Sequence, residues 1–130
     1  MKYPLGEHEK DNIRSKTGKK LDDITIEAVK NGQISAEDIK ISADVLLRQA
    51  EVAEAAGKPQ MRDNFVRASE LVGVPDEVIL NFYNKLRPNR STKAELSDMA
   101  KELKSKYNAD KCAALVLETI SVYEKRGILL

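Results

Sequence analysis

The sequence predicts an all-α protein: an open up-and-down helical bundle with a three-helix core, extra short helices and an extended N-terminal arm. Apolar residues recur at the three- and four-residue spacing of amphipathic helices, and no stretch shows sustained two-residue alternation. Glycines occur singly at the breaks between these stretches. The connections are short, which favours antiparallel neighbours. We expect an arm over residues 1–20 and a helical domain over residues 21–130.

The N-terminal arm is expected because residues 1–20 lack helical periodicity and contain Pro4 and Gly6. Two interpretations of this arm stay open. It is either a solvated segment or a segment that lies along a partner protein, with Tyr3 and Leu5 as apolar anchors.

Residues 21–73 are expected to form two short helices followed by two longer ones. The first short helix, over 21–30, starts with acidic residues and is ended by Asn31-Gly32. The others are a turn capped by 35–38, a helix from Ser42 to Gly57, and a helix from Pro59 to Gly73.

The stretch 74–92 carries the clearest helix signal in the chain. Pro75 suits a first helical position because it has no amide hydrogen to leave unsatisfied there. Pro88 ends the helix, since the residue before a proline is pushed out of the α region. Four residues at positions i, i+3, i+4 and i+7 form the expected apolar stripe, namely Ile79, Phe82, Tyr83 and Leu86.

A corner is expected after this helix. Thr92 and Glu95 form the pattern of a capping box that starts the next helix, and a last helix follows a break at 108–110. Arg87 and Arg90 stand at the corner, where guanidinium groups suit bidentate contacts to carboxylates or carbonyls of another protein. The alternative is that both side chains merely cover the ends of neighbouring helices.

No catalytic, cofactor-binding or metal-binding set is expected within this chain. The single histidine, His8, and the single cysteine, Cys112, cannot build a zinc site or the usual pair of nucleophile and base. Isolated glycines form no phosphate-binding loop. Three pairs of adjacent carboxylates fall in first helical turns, where capping and the helix dipole explain them: Asp22-Asp23, Glu37-Asp38 and Asp76-Glu77.

Composition points to a soluble cytoplasmic protein. The formal net charge is +1, so no strong field attracts nucleic acid or an anionic membrane. A single cysteine suits a reducing compartment, and there is neither a leader-like apolar segment nor an apolar run long enough to span a membrane. The corner arginines lack interleaved aromatic residues, so direct binding to nucleic acid is not expected.

Several stretches, in order along nearly the whole chain, resemble the small subunit of adenosylcobalamin-dependent diol and glycerol dehydratases. The strongest is 74–92, which includes Val74-Pro75-Asp76 and Leu86-Arg87-Pro88. The others are Tyr3-Pro4-Leu5, 17–25, and Asn64-Phe65 with Arg67-Ala68 and Glu70-Leu71.

The resemblance implies a non-catalytic subunit of a larger enzyme. In that family the small subunit packs on the outside of a large β/α-barrel subunit. The large and medium subunits bind adenosylcobalamin, the assembly is a dimer of heterotrimers, and radical dehydration converts 1,2-propanediol or glycerol to an aldehyde. The expected partner contacts are the arm (Tyr3, Leu5) and the corner (Tyr83, Arg87, Arg90, Thr92). The rival hypothesis is a free-standing helical adaptor or nucleic-acid-binding module.

Two departures from the family pattern bear on location and substrate. Gly6-Glu7-His8-Glu9 replaces the His-Pro-Glu that often follows the opening Tyr-Pro-Leu. The long N-terminal extension of some diol-type subunits, linked to packing inside bacterial microcompartments, is missing. Cytoplasm is therefore expected with a microcompartment as the alternative, and the second departure leans toward the glycerol-type enzyme.

Overall fold

The computed structural model describes residues 1–130, and its regular elements are all helical, which confirms the all-α prediction. A 3₁₀ turn spans Leu21–Asp23. The α-helices are α1 (Leu5–His8), α2 (Ile26–Lys30), α3 (Ala36–Ile39), α4 (Ala43–Ala55), α5 (Pro59–Leu71), α6 (Asp76–Lys85), α7 (Lys93–Tyr107) and α8 (Asp110–Arg126).

The helices group into two compact units, Met1–Ser69 and Glu70–Leu130. The division expected from the sequence, an arm over 1–20 and a helical domain over 21–130, stays a prediction. Within the expected arm, α1 forms one helical turn.

In the first unit, the single helix expected over 21–30 is instead a 3₁₀ turn followed by α2. The break occurs because Thr25 adopts an extended conformation and its hydroxyl caps α2, accepting a hydrogen bond from the amide of Ala28 at 3.1 Å. Ser42 caps α4 in the same way. The buried apolar side chains of this unit are mostly small or come from α4: Leu5, Ala28, Ile34, Leu46, Ala50 and Ala53.

In the second unit, α7 and α8 pack against each other and are joined only by Asn108 and Ala109. Asn108 takes the left-handed conformation that lets α7 end sharply (φ 52°). One continuous core forms from α6, α7 and α8, and its buried members are Phe82, Leu96, Met99, Ala100, Leu103, Ala109, Cys112, Ala113, Val116 and Ile120.

The inward face of α6 differs from the predicted stripe. Phe82 is buried and Val78 and Leu86 pack against the same core, but Tyr83 points outward and is 67% exposed. Tyr83, predicted to share one apolar stripe with Phe82 and Leu86, therefore does not share their buried face. Val78 takes that place, since it lies one turn before Phe82 on the side that faces α7 and α8.

The start of α8 is capped from a distance. Its N-cap residue, Ala109, has no side chain that can accept a hydrogen bond. The carboxylate of Glu70 supplies the acceptors instead, bonding the amides of Lys111 (2.9 Å) and Cys112 (2.8 Å). A negative group at this end also complements the helix dipole.

Candidate partner interface

Side-chain hydrogen bonds hold the backbone of the corner between α6 and α7. The hydroxyl of Tyr123 in α8 donates to the carbonyl oxygen of Leu86 at 2.5 Å. The hydroxyl of Ser91, which is only 3% exposed, donates to the carbonyl oxygen of Lys85 at 2.9 Å. Both bonds satisfy carbonyls that the end of a helix leaves without an intrahelical partner.

The C-terminal segment adds backbone bonds to the same corner. The amide of Asn89 donates to the carbonyl of Ile128 (2.8 Å), and the amide of Leu130 donates to the carbonyl of Ser91 (3.0 Å). Asn89 itself is left-handed, with φ 60°. The corner is thus held on both sides of its turn, which leaves its exposed side chains on a fixed backbone.

The two corner arginines are exposed, and neither guanidinium has a hydrogen-bond or ion-pair partner within the chain. Arg48 and Arg62 are instead paired with carboxylates of the chain. Hydrogen bonds to Asp63 and Glu54 raise the pKa of Arg62, and the hydrogen bond to Asp44 raises the pKa of Arg48. The corner therefore presents two positive groups whose binding capacity the chain does not use.

Thr92 has a structural role at the corner. Its hydroxyl accepts from the amide of Glu95 (3.2 Å), and the Glu95 carboxylate accepts from the amide of Thr92 (2.8 Å). The capping box predicted from the sequence is confirmed. Whether Thr92 also contacts a partner stays a prediction, as it does for Tyr83, Arg87 and Arg90.

The two arm residues have different environments. Tyr3 is 75% exposed, whereas Leu5 is only 9% exposed. Both line an apolar groove of about 760 Å³ in the first unit, together with Val52, Ala53, Ala56, Met61 and Phe65 from α4, α5 and their connection. Leu5 already packs within this chain, so Tyr3 is the arm side chain that stands free for a partner contact.

Among the adjacent carboxylates, Asp23 and Asp38 accept hydrogen bonds from nearby groups. Asp38 is buried and accepts from the hydroxyl of Thr17 and the amide of Ser35, which together lower the pKa of its carboxyl group. Asp23 accepts from the amide of Lys20 at 3.0 Å, and Asp76 and Glu77 occupy the first turn of α6. The predicted capping role is seen for Asp23 and Asp38, whereas at Asp76 and Glu77 the helix dipole alone explains the acidic residues.

No group of three or more histidine, cysteine, aspartate or glutamate side chains is arranged to hold a metal ion. His8 is exposed in α1, and Cys112 is buried in the α8 face of the core. None of the helices combines the length and the apolar character that crossing a membrane requires.

Comparison with known proteins gives the family. The family model described as dehydratase small subunit matches residues 1–130. The chain belongs to the dehydratase small subunit family. Two propanediol dehydratase small subunits are similar over 124 residues: that of Citrobacter freundii is 44% identical and that of Salmonella typhimurium 43%, each match covering 95% of this chain and 72% of the relative.

A dehydratase is a hydro-lyase, and a small subunit implies larger partner subunits. This chain is therefore one component of a multi-subunit enzyme. The assignment agrees with the resemblance inferred from the sequence. The corner and the arm therefore belong to a protein that has larger partner subunits.

Sequence reasoning missed several residues that shape this dehydratase small subunit. Tyr123, Ser91 and the C-terminal segment hold the corner, and Glu70 caps α8. No local pattern signals these contacts, because their partners lie elsewhere in the sequence. Leu80 was also left out of the predicted set of partner contacts. It is 62% exposed on α6, and its position three residues before Tyr83 was the sequence signal that could have identified it.

Proposed function

We propose that this dehydratase small subunit is the non-catalytic component of an adenosylcobalamin-dependent dehydratase that converts 1,2-propanediol or glycerol to an aldehyde by radical dehydration. It assembles with a large and a medium subunit as a dimer of heterotrimers. The observation that carries the proposal is the family match over the whole chain, joined to 43–44% identity with subunits named for propanediol dehydratase.

The cofactor belongs to the partner subunits. The residues of this chain do not form a site that fits adenosylcobalamin: His8 is exposed on a four-residue helix, and no cluster of ligating side chains accompanies it. Adenosylcobalamin supplies the radical chemistry in such an enzyme, while the protein supplies binding and orientation. In this scheme the small subunit supplies neither a ligand nor a proton-transfer group.

The contribution of the small subunit is mechanical. A permanent subunit interface typically buries more than about 2,000 Å², and burial of that area stabilises the large subunit and helps exclude water from its radical site. The corner residues Tyr83, Arg87, Arg90 and Thr92 and the arm residue Tyr3 are the proposed contacts. Leu5 contributes by holding the arm against α4.

The substrate is set in the large subunit, and two assignments compete. The relatives named above favour a 1,2-diol. Glycerol is the alternative substrate. The enzyme works in the cytoplasm, with packing into a bacterial microcompartment as the alternative location.

The proposal is tested by reconstitution. The large and medium subunits of the dehydratase from the same organism are co-expressed with and without this chain, and adenosylcobalamin-dependent aldehyde formation is measured from 1,2-propanediol and from glycerol. We expect the complete complex to be active and more heat-resistant, and the complex without the small subunit to lose activity and solubility. Full activity and thermal stability in its absence would refute the supporting role.

The rival function, a free-standing adaptor or nucleic-acid-binding module, predicts a monodisperse monomer that binds DNA or RNA with strong salt dependence. The dehydratase assignment predicts stable co-purification with the two partner subunits and no such affinity. Size-exclusion chromatography of the co-expressed proteins separates the two.

A further inference from the structure

Helix α6 carries apolar side chains on its outward face as well as on its inward one. The inward residues Val78, Phe82 and Leu86 pack into the core of the second unit. On the opposite side, Leu80 and Tyr83 are 62% and 67% exposed. They lie three residues apart and so stand side by side on the helix. A leucine and a tyrosine exposed together form a pair of apolar anchors.

Charges of opposite sign bracket this pair. Asp76 lies one turn before Leu80, and Arg87 lies one turn after Tyr83. Arg87 keeps its near-helical position because its amide still bonds the carbonyl of Asn84 at 3.3 Å. By helical rise the two charges are roughly 16 Å apart. Neither side chain has a partner within the chain, and Arg90 adds a second positive group at the Arg87 end.

We propose that this bipolar stripe, Asp76–Leu80–Tyr83–Arg87 with Arg90, docks into a groove of the dehydratase large subunit. The groove has an apolar floor for Leu80 and Tyr83, carboxylates at the end that receives the arginines, and a basic group at the end that receives Asp76. The inference rests on the proposed function and specifies the chemistry of its partner surface. Spaced anchors on one helical face are the signature of helix-in-groove recognition.

The opposite charges fix the direction in which the helix docks. A partner that presents the reverse order of charges meets like charge at both ends, which costs binding energy. The corner contributes as well. Because Tyr123 and Ser91 hold the backbone beside Arg87 and Arg90, little main-chain freedom is lost when the arginines bind.

A nucleic-acid backbone fits this face less well than a protein groove. Asp76 and Glu77 stand at its amino end and repel phosphates, and the net charge of the whole chain is only +1. Exposed Leu80 gains nothing from a phosphate surface. Aromatic residues that could stack on successive bases are limited on this face to Tyr83.

The experiment maps the groove in the assembled enzyme. Tyr83 is replaced by the photoreactive residue p-benzoylphenylalanine, the variant is co-expressed with the large and medium subunits, and the purified complex is irradiated. The matched control places the same residue at exposed Asn81, which lies roughly 130° around the helix axis from the stripe. Cross-linked peptides are identified by mass spectrometry. In parallel, Arg87→Glu with Arg90→Glu is compared with Asn81→Asp for retention of the small subunit on a tagged large subunit.

The expected result is a cross-link from position 83 to an apolar segment of the large subunit that lies beside carboxylates, with position 81 silent. Charge reversal at the two arginines should raise the dissociation constant by about 30-fold or more, the scale of an interface hot spot, while Asn81→Asp leaves it unchanged. A complex that assembles but gives no cross-link from 83, equal cross-links from 83 and 81, or a cross-link to the medium subunit overturns this inference alone. Failure of the chain to co-purify, or salt-dependent retention of DNA or RNA in place of dehydratase subunits, overturns the proposed function together with it.

Discussion

The hydroxyl of Tyr123 donates a 2.5 Å hydrogen bond to the carbonyl oxygen of Leu86, across 37 positions of sequence. This bond ties the last turn of α8 to Leu86, the residue that caps the end of α6. The Leu86 carbonyl would otherwise lack a partner where the helix stops. The contact therefore sets where the chain turns, and with it where Arg87 and Arg90 stand.

Replacing Tyr123 with Phe tests the weight of that bond. The ring keeps its packing against the core, but the carbonyl loses its donor. A lost hydrogen bond of this kind lowers the free energy of unfolding by about 1 kcal/mol, which corresponds to roughly 4 °C in melting temperature for a domain of this size. Thermal unfolding followed by far-UV circular dichroism measures the change.

Tyr107→Phe is the matched control for Tyr123→Phe. Tyr107 also packs against the core, but no hydrogen bond from its hydroxyl group holds another element. We expect its melting temperature to stay close to that of the unaltered chain. Equal losses in the two variants would mean that the bond to Leu86 does not hold the corner.

The sequence allowed the helix boundaries at the corner to be predicted, because the signals there are local. The Thr92–Glu95 capping box occupies four consecutive positions and formed as expected. The prolines before α6 and in the corner act on their immediate neighbours. Such features need no knowledge of what the helix packs against.

The orientation of α6 could not be predicted in full, because two overlapping stripes satisfy the same spacing. Tyr83 and Val78 each complete a run of apolar positions through Phe82. Contact with α7 and α8 decides between them, and that contact is tertiary. The bonds from Tyr123 to Leu86 and from Glu70 to the start of α8 are likewise long-range. The burial of Leu5 has the same origin.

Thr92 offers a way to separate capping from partner contact. Thr92→Ala removes the acceptor for the Glu95 amide, and loss of an N-cap lowers the free energy of unfolding by about 1 kcal/mol. Thr92→Ser keeps the hydroxyl group and should restore stability. Urea unfolding of both variants measures this effect.

Assembly of the same Thr92 variants then tests the interface assignment. If Thr92 acts through the cap alone, Thr92→Ser assembles with the large subunit as well as the unaltered chain does. A serine variant with normal stability but weakened assembly would show that the threonine methyl group meets the partner.

The lowered pKa of Asp38 predicts that the first unit loses stability in acid. Hydrogen bonds from Thr17 and Ser35 lower the pKa of its carboxyl group in the folded state, so the unfolded state takes up a proton more readily. Stability from this group is complete above the unfolded pKa, about 3.9, and is lost as the pH falls through the lower folded value. In Asp38→Asn, unfolding should depend less on pH below about 4, and the variant should be less stable than the unaltered chain at neutral pH.

Urea unfolding between neutral pH and pH 3 checks this prediction, with Glu37→Gln as the control. The Glu37 carboxyl group also has a lowered pKa, caused by its hydrogen bond to Lys40, but it is exposed and lies outside the Thr17–Ser35 network. We expect Asp38→Asn to change the pH dependence of the free energy of unfolding more than Glu37→Gln does. Identical pH profiles for Asp38→Asn and the unaltered chain would show that the buried network contributes no acid sensitivity.

The corner arginines give the prediction on assembly. Truncating Arg87 and Arg90 to Ala removes two exposed guanidinium groups that have no partner within the chain, so the helicity and melting temperature of the small subunit should not change. Retention on the large subunit should fall at least about tenfold, because partner carboxylates are left desolvated without their charge-assisted bonds. Lys101→Ala with Lys104→Ala on α7 removes the same charge from exposed positions and should leave retention unchanged. If the two pairs weaken assembly equally, the effect is one of net charge and the corner is not a specific contact.

Replacing both arginines with lysine tests the geometry of the contact. A lysine keeps the charge but not the planar fork of the guanidinium group, so partial loss of retention would indicate bidentate pairing at the corner.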